Sequence, residues 1–383
     1  MKRHYFIKSL KKEDMLRTII YNKLNKNYSD SIRPINEYIL FTHEWLFNAY
    51  KISQKGIPAY YHLKKGWSED YPETTGYIVS TLLNLYECNI TIKRKIEISK
   101  LVNWLLSIQN IDGSFGYIGN LNDPMIFDTL QIVEGFFNYY KKENDKRIMD
   151  GIEKACFWVT SVPSGNPFTA EIGCLNKNVT YLIRAWNILL EVGKYFNKKK
   201  YIERATNEII SIYDYVRNNG FFKNCSVIVN EKDVLSHFLF YTVEGLLRGA
   251  ITLNNEGMIE LVKDFVIKIN FNFKYLNNFL PLALNKELTV NYKSTCLTGL
   301  SQLAIINYLL YEKLNDNFFL KYGNNINDEV KKRIDLKSKN LSIRGGIQSC
   351  YPFTKEYLNY SYINWAAKFF LDALIVEKKY IQS

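Results

Sequence analysis

Apolar residues recur along this chain at three- and four-residue spacing, with little sustained alternation. That period belongs to helices, whereas strict alternation would mark half-buried strands. Two kinds of helical segment take turns. One kind is apolar nearly all round, as in Ala304-Ile305-Ile306-Asn307-Tyr308-Leu309-Leu310. The other carries a charged face: 94–109, where Ile98, Leu101, Leu105 and Ile108 set the period, and likewise 147–161, 201–217 and 256–270. A helix apolar on all sides is buried, and one with a polar face lies outside.

The apolar segments repeat. Each opens on a polar or Thr-containing stretch, and Thr75, Thr129, Thr180, Thr242 and Thr298 mark five of the openings at intervals of 54, 51, 62 and 56 residues. A sixth segment opens at Asn364-Trp365-Ala366. Each interval holds two helices of ordinary length with their loops. Six inner helices alternating with six outer ones predict an all-α fold, the (α/α)6 toroid. Residues 37–52 supply the outer helix that completes the first pair. One domain spans 1–383, with 1–34 as an N-terminal extension.

Composition agrees with a large buried core: 47% hydrophobic residues, 23% charged, and only 19 Gly and 8 Pro in 383 residues. The formal charge of +12 raises a nucleic-acid reading, but the basic residues are dispersed, as in Lys93-Arg94-Lys95 and Lys198-Lys199-Lys200, with acidic residues among them. A solvated lysine-rich surface is the expectation, with no nucleic-acid partner; an acidic substrate or an anionic membrane surface fits the charge. The six cysteines, Cys88, Cys156, Cys174, Cys225, Cys296 and Cys350, form no CxxC pair, so neither a zinc ribbon nor a thioredoxin-type motif is expected. The start lacks a signal-peptide apolar region and no apolar run reaches membrane-spanning length. The chain therefore reads as cytoplasmic, with reduced thiols, no cofactor and no metal.

Parallel inner helices would gather their N-terminal ends on one face, where unpaired N–H groups and helix dipoles favour anions. The expected pocket lies there. The first cluster is 66–76, where Trp67 and Tyr71 offer a sugar platform beside Glu69 and Glu73, although Glu73 and Thr74 also suit an ordinary first helical turn. The segment Gln109-Asn110-Ile111-Asp112-Gly113 reads as a structural tie between a helix end and its loop. Asp128 and Gln131 open the second inner helix. Tyr181 opens the third, and Arg184, one turn inward, needs a carboxylate partner or an anionic ligand. His237 and Tyr241 share a face at i and i+4 and suit proton transfer next to a carboxylated sugar, with Glu244 beyond them. Thr298 and Gln302 open the fifth helix; Tyr362, Asn364, Trp365 and Lys368 open the sixth, where packing of the Trp is the simpler account. The candidate catalytic groups are His237, Tyr241, Glu69 and Glu73, the last two as an alternative glycosidase pair. The other residues named at these openings are candidate substrate contacts.

Seven stretches carry a family likeness: WSEDYPETTGY (67–77), WLLSIQNIDGSF (104–115), FDTLQIVEG (127–135), NVTYLIRAWNILLE (178–191), HFLFYTVEGLLRG (237–249), TCLTGLSQLAII (295–306) and GGIQSCYPFTKEYLNYSYINWAAKFFLDAL (345–374). The chain resembles six-hairpin toroid proteins found with exopolysaccharide and capsule biosynthesis genes. These are similar in fold to sugar epimerases, to six-hairpin glycosidases and lyases, and to terpenoid cyclase and prenyltransferase toroids. It departs from the family pattern at Asp128-Thr129-Leu130, where Asn precedes the Thr and Gly follows it, and at Gly299-Leu300, where Asn follows the Gly. The resemblance implies a carbohydrate-active enzyme of extracellular or capsular polysaccharide biosynthesis. It would act as epimerase, lyase or hydrolase on a glycan or lipid-linked sugar, with peripheral contact to a membrane or a biosynthetic complex. The alternatives are an isoprenoid-handling toroid, which lacks DxDD and DDxxD motifs here, and a non-catalytic sugar-binding scaffold.

Overall fold

The computed structural model describes residues 2–29, 31–88, 90–117, 120–163, 179–225 and 233–381. Cys174, Asn178 and most of the Pro- and Gly-bearing loop at 162–167 lie outside them. Among the described residues the helices are α1 Lys2–Lys23, α2 Ile35–Tyr50, α3 Pro72–Glu87, α4 Ile98–Ser107, α5 Ile126–Glu143, α6 Lys146–Ser161, α7 Ile183–Tyr195, α8 Lys199–Asn219, α9 Ser236–Leu253, α10 Glu256–Tyr275, α11 Leu297–Leu314, α12 Asn317–Lys331 and α13 Asn364–Ile381. A 3-10 turn, Thr180–Leu182, leads into α7. The odd-numbered helices from α3 onward each pack on the next, and α13 closes on α3. The even-numbered helices lie outside them. The fold is an (α/α)6 toroid, and no described helix is long and apolar enough to cross a membrane.

Burial follows the pattern that predicted it. Outer α8 buries Ala205, Ile209, Ile212 and Val216, one stripe at three- and four-residue spacing. Inner α11 buries every residue from Leu297 to Tyr308. Helix α4 begins at Ile98, four residues later than its periodicity suggested. The chain before it is held extended, with the Ile96 amide donating to the Tyr86 hydroxyl at 2.7 Å.

Four of the five marker threonines turn out to be latches. Tyr71 N–H donates to Ile57 O while Ile57 N–H donates to Thr75 Oγ1, both at 3.0 Å. The same pair of bonds recurs one hairpin later: Met125 N–H to Phe115 O, and Phe115 N–H to Thr129 Oγ1, again at 3.0 Å. Thr180 and Thr242 bond each other across α7 and α9 at 3.0 Å. All five threonines are fully buried. Thr180 and Thr242 thus tie two neighbouring hairpins together, while Thr75 and Thr129 fasten the incoming loop to their helices. Gln109 and Asp112 do the same for the loop after α4: Gln109 Nε2 donates to Gly113 O and Gly151 O at 2.9 Å, and Asp112 accepts from Ser114.

Short antiparallel strands join the loops at the N-terminal end of the inner ring. They are β1 Tyr60–His62, β2 Gly66–Trp67, β3 Gly116–Tyr117, β4 Asn120–Pro124, β5 Val234–Leu235, β6 Ala283–Leu284, β7 Thr295–Cys296, β8 Cys350–Tyr351 and β9 Ser361–Ile363. The sheet β2-β1-β9 ties the first hairpin to the last. At the other end the turns are tight. Inner helices finish on Asn144, Asn254 and Asn315 in the left-handed region, and the next residue, Asp145, Asn255 or Asp316, caps the outer helix through its side chain. Helix α1 docks on the long connection between α12 and α13. Arg17 pairs with Asp335, and Asp14 accepts from Asn340 N–H at 2.9 Å.

Candidate functional site

Two carboxyls meet at the N-terminal end of the ring. Glu73 is the second residue of α3, behind Pro72, and Asp128 the third of α5. The helices approach closely because Gly76 and Gly135 face each other; a Cβ at Gly135 would collide with the Gly76 carbonyl. Glu73 is 5% exposed and Asp128 3%. Burial raises the Glu73 carboxyl to about 7, with Tyr71 hydrogen-bonding to it and Arg184 and Lys368 restraining the rise. Burial, then the charge of Glu73, holds Asp128 well above the ordinary aspartate range. Its Oδ2 has no hydrogen-bond partner among the described residues. Water loss outweighs the favourable helix N-termini at both positions.

Aromatic rings surround the pair. Phe127 sits edge-on to Tyr181 at 5.2 Å and to Tyr241 at 5.4 Å, and Tyr241 shares a hydrogen bond with Tyr77. The His237 ring lies 4.5 Å from that of Tyr241, and its Nδ1 lies 3.0 Å from Gln302 Oε1. Burial lowers the His237 pKa to about 4, opposed by Gln302 and assisted by the charge of Arg184. The ring is therefore neutral near neutrality, with Nδ1–H donating to Gln302 and the lone pair on Nε2.

Beneath this cluster lies a layer of cations and rings. The Arg184 guanidinium is 5.9 Å from the Tyr77 ring, 5.6 Å from Tyr241 and 5.4 Å from Phe369. Lys368 Nζ is 4.2 Å from the Phe369 ring. Both cations pair downward: Arg184 with Glu134 at 3.2 Å and Glu244 at 3.8 Å, Lys368 with Asp372 at 2.6 Å. Burial works to raise Glu244, but Arg248, Arg184 and Lys368 outweigh it and hold the carboxyl below its ordinary value. Below the layer is a cavity of about 500 Å³ lined by side chains of all six inner helices and opening near Glu87, Glu191 and Lys379.

Of the residues expected from the sequence, the structure brings Tyr71, Glu73, Asp128, Tyr181, His237, Tyr241 and Gln302 together above the layer. Arg184 and Lys368 form the layer, and Glu244 lies under it. Gln131, a turn along α5 from Asp128, is fully buried with both amide atoms unpartnered among the described residues. Thr298 is fully buried at the start of α11. Trp365 borders the cluster, donating to the Tyr357 hydroxyl at 3.0 Å and meeting Tyr71 edge-on.

Four residues are set apart. Glu69 is exposed on the hairpin before α3, where its carbonyl accepts from Ala59 N–H. Trp67 packs on Trp45 and Tyr61 instead of flanking Glu73. Tyr362, mid-strand in β9, turns to Gln348 and the α1 side because neighbours on a strand face opposite ways. Asn364 is a fully buried stitch, donating to Pro58 O at 3.0 Å and Thr74 Oγ1 at 2.8 Å.

The expected pocket was at the N-terminal ends; the cavity described here opens at the opposite end, and of the expected residues only Arg184, Glu244 and Lys368 line it. Glu134, Glu191, Arg248 and Asp372 were missed. Glu134 carried a signal: it lies one turn beyond Gln131 on α5 and is the kind of counter-ion that Arg184 demanded.

No family model matches the sequence, and no curated protein matches it. Solved structures do. An unsaturated glucuronyl hydrolase specific for heparin superposes with a TM-score of 0.71 at 13% identity, covering 91% of this chain and 98% of that one. An Asp-to-Asn variant of the unsaturated glucuronyl hydrolase from Streptococcus agalactiae, complexed with dGlcA-GalNAc6S, gives 0.64 at 12% identity, covering 91% and 93%. An α-amylase from Clostridium perfringens gives 0.58 at 16% identity, covering 88% and 98%. At such identities the likeness is one of fold: this chain has the (α/α)6 toroid of the glucuronyl hydrolases, in line with the expected six-hairpin glycosidase relatives.

Proposed function

We propose that this chain is a carbohydrate-active enzyme that cleaves a glycan at the N-terminal end of its inner ring, with Glu73 and Asp128 as the proton-carrying pair. The observation that carries the reading is the buried meeting of these two carboxyls among aromatic rings. Two such groups resist ionising together, so the pair holds a proton near neutrality. A glycosidic oxygen needs a proton to leave, and the ionised partner then accepts one from water or steadies the positive sugar. Tyr71 and Trp365, both partly exposed beside the pair, suit contact with a sugar. Six helix N-termini and the positive net charge favour an anionic, uronate-bearing glycan.

The glucuronyl hydrolase neighbours support hydrolysis over the other chemistries. The charged interior weighs against the isoprenoid alternative. The seven matching stretches support a substrate from extracellular or capsular polysaccharide, as glycan or lipid-linked sugar, which would bring the protein to a membrane surface or biosynthetic complex. A second reading, lyase or epimerase, draws on neutral His237 against Tyr241, a pair suited to removing a proton beside a carboxylate.

Incubation with uronate glycans and unsaturated glucuronyl oligosaccharides separates these. New reducing ends without new double bonds mean hydrolysis, a gain in double-bond absorbance means elimination, and deuterium uptake with an intact chain means epimerisation. Wild-type protein inert on all of them, or Glu73→Gln and Asp128→Asn variants as active as wild type, would sink the proposal.

A further inference from the structure

The charged cavity under the Arg184–Lys368 layer is a second, separate feature of the ring. Five carboxylates (Glu87, Glu134, Glu191, Glu244, Asp372) and four cations (Arg184, Arg248, Lys368, Lys379) line it, leaving one negative charge over. The pairings show where that charge sits. Asp372 is matched by Lys368 at 2.6 Å and by the Thr81 hydroxyl at 2.8 Å. Glu244 Oε1 takes Arg248 at 2.7 Å, but its buried Oε2 has no hydrogen-bond partner among the described residues. Glu191 is exposed at the mouth and forms no direct ion pair with any described residue; burial and then the charge of Glu134 raise its carboxyl, against the charges of Arg248, Lys141 and Arg184. The C-terminal ends of the inner helices add negative potential at that mouth.

The walls are polar as well. Asn187 fixes its Nδ2 on Ile183 O and Gly245 O at 2.7 and 2.8 Å and leaves Oδ1 unpartnered, and exposed Asn84 stands across from it on α3. Among the described residues, no aromatic side chain lines the cavity. An unpaired carboxylate, a second carboxylate beside it and amide groups around them suit a small cation that also carries hydroxyls.

We propose that this cavity is a binding site for a protonated primary amine on a hydroxylated small molecule, an amino sugar, with Glu191 as the main counter-ion and Glu134 and Asn187 beside it. The site is independent of the carboxyl pair above the layer. An occupant's ammonium would give Glu191 the direct ion pair it lacks.

Titration calorimetry on the full chain tests this with glucosamine, with N-acetylglucosamine as its uncharged counterpart and with spermidine as a bare polyamine. Glucosamine should bind, N-acetylglucosamine should not, and Glu191→Gln should weaken glucosamine by about tenfold or more. Glu73→Gln should leave that binding intact. Cys88 lines the cavity and is half-buried, so bound glucosamine should slow its alkylation, read by peptide mass spectrometry. This second measurement does not depend on how any variant folds. The proposal is overturned by equal binding of the acetylated sugar, by undiminished binding in Glu191→Gln, by no effect on Cys88, or by spermidine binding where glucosamine does not.

Discussion

At the N-terminal end of the inner ring the chain enters each helix through a long connection; at the C-terminal end it leaves α5, α9 and α11 through a single Asn and a capping residue. The difference decides the chemistry of each end. Long connections bring strands, latches and rings over the helix starts, so Glu73 and Asp128 are stripped of water and become acids that keep a proton. Tight turns bring nothing over the helix ends, and the carboxylates below the layer are solvated or matched by Arg184, Arg248 and Lys368. The same residue types therefore hold a proton near neutrality at one end and stand as fixed charges at the other.

The sharpest way to break this contrast is Glu73→Gln or Asp128→Asn, which should lower glycan turnover by about 10²- to 10⁴-fold with the fold retained. The same groups predict a pH profile. If Glu73 is the acid, activity falls as pH rises through about 7. Stability follows the same sign: a carboxyl whose folded pKa is raised binds its proton more tightly folded than unfolded, so its contribution is lost as pH climbs from the ordinary carboxyl range through about 7. Glu73→Gln should thus be inactive and, at pH 8, harder to unfold in urea than wild type; a less stable variant would contradict a buried, water-starved carboxyl.

Arg184→Leu should cost about 3–5 kcal/mol in denaturant unfolding, because Glu134 and Glu244 lose their shared partner. Thr129→Val keeps the shape but strands the Phe115 N–H, for about 1–3 kcal/mol. At the acid end, His237 and His43, both lowered to about 4 chiefly by burial, predict stability lost as pH falls from about 6.5 toward 4, since the unfolded chain binds those protons first. The smallest effect belongs to exposed Glu69→Gln: unfolding free energy within about 0.5 kcal/mol of wild type, and turnover unchanged. A large loss of turnover there would move the acid out of the ring.

The sequence showed the ring but mixed its site with its scaffold. Trp67, Glu69, Glu73 and Asn364 all stood at helix openings and looked alike as candidates. Only Glu73 among them joins the buried cluster; Glu69 hangs on the hairpin outside, Trp67 packs toward α2, and Asn364 stitches α13 to the first hairpin. The sequence asks for a carboxylate or an anionic ligand at Arg184, and the protein's own Glu134, from another helix, pairs with it.

What the sequence determined alone was the helical period, the alternation of buried and half-buried helices and their sixfold repeat. Those properties are local, because the helix period and the burial of an apolar face are written in spacings of three and four residues. The tertiary structure decided which carboxyls lose their water, which threonines are latches and which end of the ring stays open. These depend on groups from six different helices meeting at one place, and a proton affinity is set by that meeting, through desolvation and nearby charge.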